Sequence, residues 1–296
     1  MKLFECYDIG GTKIRGALIQ KNGEILIKKS IKTKKGSPDK LIKQIKYLSN
    51  SLRKDINSKD VVAVSLALPG PVKKNILLES PQLNIKSKLD LASKFKKYTK
   101  KPVFVINDMK AAIRAELKFG IGKKVKNFYL LTISSSIGSG LVVDGKILEG
   151  FYGEFGHDIL ERDSKKAIVC VCGRKGCWGA MSGGIGIEKT MRKELKKTLT
   201  VERFFDIYKK DKRVKKIIEN IRSYNAHGIG NMLNAFSVDE IVIMGSVGLN
   251  QFKKIIPSSK EIKKYTINNI PKIIPTKLGE DIGLLGAFAF AHERIK

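Results

Sequence analysis

Short apolar runs separated by turn residues recur along the whole chain, and several of them are typical of strands buried inside an α/β protein. Residues 61–68 are the clearest case, because they form a continuous run interrupted by a single serine. Residues 3–31 alternate apolar runs with tight turns, one of them Asn-Gly at 22–23, and predict a strand meander. Further strands are predicted at 102–106, 128–133, 141–143, 240–244 and 271–276.

Between these runs the apolar positions recur with helical spacing. Residues 37–57 carry leucine or isoleucine along one face, and the Ser-Pro pair at their start suits a helix N-terminus. The strongly charged stretch 186–216 is predicted to be helical as well. Other helices are predicted at 109–119, 220–236 and 281–294.

The pattern at the start of the chain occurs a second time. A strand, a turn of small residues and a second strand in residues 3–31 are matched by residues 128–143, where the turn is Ser-Ser-Ser-Ile-Gly-Ser-Gly. This repetition indicates an internal duplication, and it predicts two similar halves that face each other across a cleft.

Length and composition narrow the class of protein. With 296 residues, of which 42% are hydrophobic and 29% charged, the chain is expected to form two globular domains rather than one. No apolar run approaches the length of about 20 residues that spans a bilayer, and the N-terminus does not resemble a signal sequence. We therefore expect a cytoplasmic protein without membrane association.

The formal net charge of +30 raises the alternative of nucleic-acid binding. The lysines, however, are spread through almost every segment with acidic residues among them, and no basic arm studded with aromatic residues stands out. The charge is better explained by genome composition or by a highly charged surface, so we expect no specific nucleic-acid site. A general attraction for polyanions such as ATP would be a side effect.

Three of the four cysteines lie within eight residues of one another, at Cys170, Cys172 and Cys177, with His157 upstream. Three thiolates and one imidazole fill the tetrahedron of a zinc ion and leave no position open, so the predicted site is structural rather than catalytic. Glycines within the loop let the chain fold back around one ion. The alternative is a set of reactive or disulfide-bonded thiols, which the expected reducing compartment makes less favourable.

Several turns are suited to anions. In Asp8-Ile9-Gly10-Gly11-Thr12-Lys13, adjacent glycines allow backbone N–H groups to approach a phosphate, and Asp8 could hold a magnesium-bound water. A tight hairpin without a ligand is the alternative. Asn107-Asp108, between a buried strand and a helix, can face a cleft or can simply cap the helix. Gly245-Ser246 opens a helix-like stretch after a strand, as in phosphate-binding turns.

Together these segments resemble the ROK family of sugar kinases and repressors. The motifs that carry the resemblance occur in the family's order and spacing across essentially the whole chain: Asp8-Ile9-Gly10-Gly11-Thr12-Lys13, Pro69-Gly70-Pro71, Asn107-Asp108, Gly153-Glu154-Phe155-Gly156-His157, Cys170-x-Cys172-Gly-x-x-Gly-Cys177-Trp178 and Gly283-x-x-Gly286-Ala287. The zinc loop is the most specific of them.

The resemblance implies an actin-like, ribonuclease-H-like ATPase fold of two α/β domains around a cleft. The smaller domain would comprise residues 1–107 and be completed by a C-terminal helix at 282–296, and the larger one would comprise residues 108–281. Members of the family phosphorylate a hexose or an N-acetylhexosamine with MgATP. The resemblance also implies assembly into homodimers or homotetramers.

The same resemblance assigns roles to individual residues. Asp108 would be the general base that accepts the proton of the sugar's 6-hydroxyl group. Asn107, Glu154 and His157 would bind sugar hydroxyls, with a backbone contact from Gly70. ATP and Mg²⁺ would be held by Asp8, Gly10, Gly11, Thr12, Lys13, Ser135, Ser136, Gly138, Gly245 and Ser246, while zinc would be held by His157, Cys170, Cys172 and Cys177.

The chain departs from the family pattern at three places. Ser134-Ser135-Ser136 replaces a Gly-Thr-Gly turn, Gly179 replaces a glutamate that touches the sugar, and Gly245-Ser246 replaces a double glycine. A glucokinase-like activity is the first hypothesis, with N-acetylmannosamine or N-acetylglucosamine kinase as the alternative. A non-catalytic sugar-binding or regulatory protein is the hypothesis from another class. Because the Asp8 motif begins at residue 8, we expect no helix-turn-helix domain ahead of it.

Overall fold

The structure, a computed structural model, describes residues 2–151, 153–207 and 210–295. It divides into two compact units. The residues up to Gly120, together with those from Leu278 onward, form unit 1, and Ile121–Lys277 form unit 2.

Unit 1 is built on a five-stranded sheet in the order β3-β2-β1-β4-β7. The strands of this sheet are β1 (Leu3–Ile9), β2 (Lys13–Gln20), β3 (Ile25–Lys32), β4 (Val61–Leu68) and β7 (Val103–Asn107). β5 (Val72–Lys73) and β6 (Ile76–Leu77) pair with each other in a separate two-stranded sheet. The helices of unit 1 are α1 (Pro38–Leu52), α2 (Leu91–Thr99), α3 (Asp108–Phe119) and the last helix of the chain, α11 (Ile282–His292). β1, β2 and β3 are antiparallel neighbours, whereas β1, β4 and β7 are parallel.

The sheet of unit 1 is covered on both faces, which explains why its central strands β1 and β4 are mostly apolar and buried. Alternate residues of β1 point to opposite sides: Leu3 and Tyr7 pack with α1 and α2, whereas Phe4 and Cys6 pack with α11. Helix α11 also packs against α3. For this reason α3 belongs to unit 1, although the boundary predicted at residues 107 and 108 placed it in the second domain.

Unit 2 contains a second five-stranded sheet in the order β10-β9-β8-β11-β12. Its strands are β8 (Phe128–Ile133), β9 (Ile137–Val143), β10 (Lys146–Ile147), β11 (Glu240–Met244) and β12 (Lys272–Pro275). Its helices are α4 (Trp178–Ser182), α5 (Gly184–Leu195), α6 (Val201–Asp206), α7 (Lys212–Ala235), α8 (Ser246–Asn250), α9 (Phe252–Ile255) and α10 (Ser259–Ile262).

The two sheets share one topology. In each, the first strand of the unit pairs antiparallel with the strand that follows it, that strand pairs antiparallel with a third, and two parallel strands extend the sheet on the other side. The duplication predicted from residues 3–31 and 128–143 is therefore confirmed in strand order.

The single helical stretch predicted over residues 186–216 is wrong. Helix α5 ends where Lys196 adopts a left-handed conformation with φ 54°, Thr200 caps α6, and Asp211 caps α7. These local side-chain and backbone signals end one helix and begin the next. The charged residues, in contrast, continue through the whole stretch and gave no sign of the breaks. Tyr208 and Lys209, inside that predicted stretch, lie outside the described residues.

In the part of the chain that the structure describes, no helix has both the length and the apolar character needed to cross a membrane.

Candidate active site and metal centre

The turn between β1 and β2 carries the first group of predicted site residues. The Gly10 N–H donates to the carbonyl of Lys13 at 2.9 Å, and the Thr33 hydroxyl donates to the carbonyl of Gly10 at 2.7 Å. The Gly10 amide is thus engaged in closing the turn. Thr12 and Lys13 are exposed, and Gly11 lies against the backbone of Gln82.

Asp8 stands at the end of β1, immediately before this turn. Its Oδ2 lies 3.3 Å from Nη1 of Arg15, and the other guanidinium nitrogen of Arg15 lies 2.9 Å from Glu280. Removal of the carboxylate from bulk water raises the pKa of Asp8 to about 6, an effect that Arg15 opposes and the charge of Asp108 reinforces. Asp8 and Asp108 are therefore electrostatic neighbours within unit 1.

Asp108 is the first residue of α3, but it is not the residue that caps the helix. The side chain of Asn107 is the cap, since its Oδ1 accepts from the Lys110 N–H at 3.1 Å. The amide group of Asn107 also donates to the carbonyl of Gly70 at 3.1 Å, which ties the start of α3 to the loop after β4. Gly70 has φ 118°, and a side chain there would collide with the Glu79 carbonyl.

The Asp108 carboxylate accepts the Met109 N–H at 2.8 Å. Burial raises the pKa of Asp108, and the backbone N–H groups at the helix start oppose this rise. A carboxyl group with a raised pKa is a stronger base once ionised. Four residues that were predicted separately from the sequence thus lie together in unit 1: Asp8, Gly70, Asn107 and Asp108.

In unit 2, the side chains of His157, Cys170, Cys172 and Cys177 converge, and their ligand atoms all lie within 4.8 Å of one another. The distance between Sγ of Cys172 and Sγ of Cys177 is 3.7 Å, and that between Sγ of Cys170 and Nδ1 of His157 is 3.5 Å. A tetrahedral ion with Zn–S near 2.3 Å and Zn–N near 2.05 Å requires separations of about 3.8 and about 3.5 Å, respectively. The donor set therefore fits a closed zinc site.

The electrostatics of the cluster agree with metal binding. Nε of Arg174 donates to Sγ of Cys172 at 3.4 Å and lowers the pKa of that thiol to about 6, which favours the thiolate. Burial raises the pKa of the Cys177 thiol to about 12, a penalty that a divalent cation would offset. Gly173 and Gly176 both have positive φ, as the sharp loop requires.

Buried packing and a backbone hydrogen bond hold the zinc loop, residues 170–177, in place. Trp178, directly after Cys177, is fully buried and donates from its indole N–H to Oδ1 of Asn225 at 2.8 Å. Its ring fills the space that a side chain at Gly228 of α7 would need. This packing fixes one end of the loop, while an N–H···O bond from Cys170 to Arg174 at 2.7 Å closes its tip.

His157 ends the short helical turn Glu154–His157. Because Nδ1 faces Cys170, the second ring nitrogen, Nε2, lies on the other side of the ring, 3.7 Å from Oε2 of Glu154. Zinc on Nδ1 would fix the proton on Nε2, which makes that atom a hydrogen-bond donor. Glu154, by contrast, is exposed.

The serine turn that follows β8 adopts ordinary backbone conformations, because Ser134, Ser135 and Ser136 all lack the positive φ that would demand glycine. The carbonyls of Ser134 and Ser135 accept the N–H groups of Gly184 and Ile185 at 2.8 and 3.1 Å, at the start of α5. These backbone hydrogen bonds hold the turn in place, and the serine hydroxyl groups take no part in them.

The remaining predicted phosphate-binding residues lie near this turn. Gly138 is paired with Thr132 in the β8–β9 ladder. Gly245, with φ 89°, packs against the Ile133 carbonyl and precedes Ser246, the exposed first residue of α8. The ends of the parallel strands β8 and β11 thus bring the two turns together in unit 2.

Two site residues were missed in the sequence. Arg15 lies directly opposite Asp8 in the β1–β2 register and pairs with its carboxylate. Gly283 was named in the sequence only as part of a motif and was given no role at the site, yet it is Asp8 that a side chain there would strike. A charged residue inside the otherwise apolar segment 14–19 was the available signal for Arg15.

The model of the ROK family matches residues 5–294. The chain belongs to the ROK family. An N-acetylmannosamine kinase of Haemophilus influenzae is 30% identical over 288 residues, which cover 95% of this chain and 92% of the relative.

Solved structures of ROK proteins share the fold. A glucokinase of Streptomyces griseus in complex with glucose and AMPPNP has a TM-score of 0.79 at 20% identity and covers 99% of this chain and 100% of its own. A ROK-family transcriptional regulator, a homologue of the E. coli MLC protein, has a TM-score of 0.82 at 23% identity over 98% of this chain and 78% of its own. The ROK chain described here therefore has the actin-like ATPase fold, as predicted.

Proposed function

We propose that this protein transfers the γ-phosphate of ATP to the 6-hydroxyl group of a hexose or an N-acetylhexosamine. As a sugar kinase of the ROK family it is a phosphotransferase with an alcohol group as acceptor. The observation that carries the proposal is the Asp108 carboxylate, which stands at the start of α3 while Asn107 does the capping. Asp108, an electrostatic neighbour of Asp8, thus does not cap the helix, although its carboxylate accepts the Met109 N–H, and we propose that it does the chemistry.

In the proposed reaction Asp108 accepts the proton of the sugar's 6-hydroxyl group. At the same time, the oxygen of that hydroxyl group forms a bond to the γ-phosphorus of ATP. The bond between that phosphorus and the β,γ-bridging oxygen breaks, and ADP leaves. Positioning and charge neutralisation lower most of the barrier in such transfers, and a well-placed base adds about 10²- to 10⁴-fold. The raised pKa of Asp108 supports this role.

Carboxylates are the hard oxygen donors that Mg²⁺ prefers, and Asp8 fits the ion because it is anionic above about pH 6 and lies before the glycine turn. Bound Mg²⁺ would neutralise charge on the ATP phosphates. We propose that the phosphates contact the turn from Gly10 to Lys13 and the segments Ser135–Gly138 and Gly245–Ser246.

For the sugar we propose hydrogen bonds with Asn107 and His157, hydrogen bonds accepted by the Glu154 carboxylate, and a backbone contact with Gly70. With Nδ1 on zinc, His157 would present Nε2–H as a donor of fixed direction. The metal thereby serves binding and takes no part in the transfer itself. Assembly into homodimers or homotetramers stays a prediction.

N-acetylmannosamine is the first substrate to test, because the 30% identical relative is named an N-acetylmannosamine kinase. Glucose and N-acetylglucosamine are tested next. An ADP-release assay over these hexoses, with Mg²⁺ and Zn²⁺ present, tests the proposal. Turnover of one sugar, with phosphate on O6 by NMR, supports it. Absence of ADP release with every sugar overturns the proposal.

A second candidate is a non-catalytic sugar-binding regulator. It is favoured by the altered serine turn, and the transcriptional regulator with a TM-score of 0.82 is an example of a regulator that shares this fold. Saturable sugar binding in calorimetry, without ADP release at any enzyme concentration, would select this alternative.

A further inference from the structure

The two departures from the family pattern that the sequence shows in this region, the serine turn and Gly179, touch each other. A Cβ added to Gly179 would lie 2.5 Å from Oγ of Ser136 and 3.1 Å from the carbonyl oxygen of Gly156. The hydroxyl of Ser136 therefore occupies the space in which any side chain at position 179 would begin.

Glycines hold three segments together at this point. A Cβ on Gly156 would lie 2.1 Å from the Ile137 carbonyl oxygen, and one on Gly183 would lie 2.8 Å from Cα of Ser136. The turn Glu154–His157, the serine turn and helix α4 thus meet at backbone distance, and the Ser136 hydroxyl lies against Gly179 of α4. Gly156 itself stands between Glu154 and His157, the proposed sugar ligands of unit 2.

From this geometry we propose that the Ser136 hydroxyl selects the sugar, and that glycine at 179 holds it in place. The proposal rests on the proposed function. A hydroxyl can donate to or accept from a neutral sugar hydroxyl or acetamido group without bringing a charge. Ser136 is thereby moved from the phosphate contacts proposed for the segment Ser135–Gly138 to the sugar, and those contacts are left to Ser135 and Gly138.

The backbone of the turn does not depend on this hydroxyl, because the carbonyls of Ser134 and Ser135 are bonded to α5. Ser136→Gly should therefore fold and lose only the hydroxyl. Gly179→Ala keeps the hydroxyl but forces it into another rotamer, because the terminal oxygen of a serine can swing away. The two variants remove the same group from the same place by different means.

The test compares Ser136→Gly, Gly179→Ala and the double variant, in the full-length zinc-loaded protein. Gly150→Ala is the matched control, since a Cβ on Gly150 meets nothing within 4 Å. KM for ATP and for the panel sugar with the highest kcat/KM is measured, together with the melting temperature.

Each single variant is expected to raise KM for the sugar about 3- to 10-fold, the effect of one lost neutral hydrogen bond, while KM for ATP stays within about twofold. The double variant should be no worse than Ser136→Gly alone, since one hydroxyl cannot be lost twice. Multiplicative effects, an unchanged sugar KM in Ser136→Gly or a rise in KM for ATP instead would overturn the proposal.

Failure of the proposed function gives a different result. An active wild type with an unaffected Ser136→Gly variant refutes only the role of Ser136. If the wild type turns over no sugar, dissociation constants for N-acetylmannosamine and glucose in the same variants decide the matter. Absence of binding as well refutes both proposals.

Discussion

The carboxylate of Asp8 lies against Gly283, in the first turn of α11. A Cβ added at position 283 would lie 2.5 Å from Cγ of Asp8 and 2.8 Å from each carboxylate oxygen. The positive end of the α11 dipole also favours an anion at this place. The last helix of the chain thus positions the first acidic residue of the proposed ATP site.

We predict that Gly283→Ala weakens MgATP use, because the new methyl group must displace the Asp8 carboxylate. KM for MgATP should rise at least about 10-fold, and the free energy of unfolding should fall by about 1–3 kcal/mol through overpacking. Steady-state kinetics and urea unfolding measure the two effects. Gly150→Ala is the control, and equal MgATP kinetics in both variants would refute the role of Gly283.

Zinc removal should destabilise unit 2. We predict one zinc per chain by mass spectrometry and a loss of zinc in Cys177→Ser, with the melting temperature lowered by at least about 5 °C. Cys6→Ala is the matched control, because Cys6 is buried in unit 1. It should lose stability through packing but keep its zinc. Full zinc content in Cys177→Ser would contradict the assigned ligand set.

The pKa of Asp8 predicts a pH dependence. Its pKa rises from about 4 in the unfolded chain to about 6 in the folded one, so between these values the folded state holds the extra proton. The stabilising contribution of Asp8 is therefore complete below about pH 4 and is lost as the pH rises through about 6. Arg15 limits this loss, because its charge favours the ionised form.

Asp8→Asn removes that titration. Between pH 4 and pH 7, the wild type should lose about 1–3 kcal/mol of unfolding free energy relative to the variant, as measured by urea unfolding. Parallel pH profiles of the two proteins would show that Asp8 titrates normally.

Much of the fold was predictable, because periodicity reports burial directly. The apolar run 61–68 is β4. The polar pair Asn107-Asp108, which follows the predicted strand 102–106, is the junction of β7 and α3. The convergence of His157 with the three cysteines was predictable for a chemical reason, since few residue types bind zinc and the cysteines are close in sequence. Their distances in the structure agree with the tetrahedron.

What the sequence concealed depends on contacts between distant segments. The contact of Asp8 with Gly283 joins opposite ends of the chain, and that of Ser136 with Gly179 joins the turn between β8 and β9 to α4. No local pattern encodes either pair. The break after α5 was missed for the opposite reason, because one left-handed residue, Lys196, outweighs the helical preference of its neighbours.

The central claim is that Asp108 deprotonates the sugar, and Asp108→Asn tests it most directly. The asparagine keeps the shape of the side chain but has no basic oxygen at neutral pH. Asp39→Asn is the matched control, since Asp39 also lies in the first turn of a helix of unit 1 and is exposed. Single-turnover phosphorylation and calorimetric sugar binding are measured for both. The account predicts a rate lowered about 10²- to 10⁴-fold in Asp108→Asn, with sugar affinity within about threefold of wild type and Asp39→Asn unchanged; an Asp108→Asn rate within tenfold of wild type would contradict it.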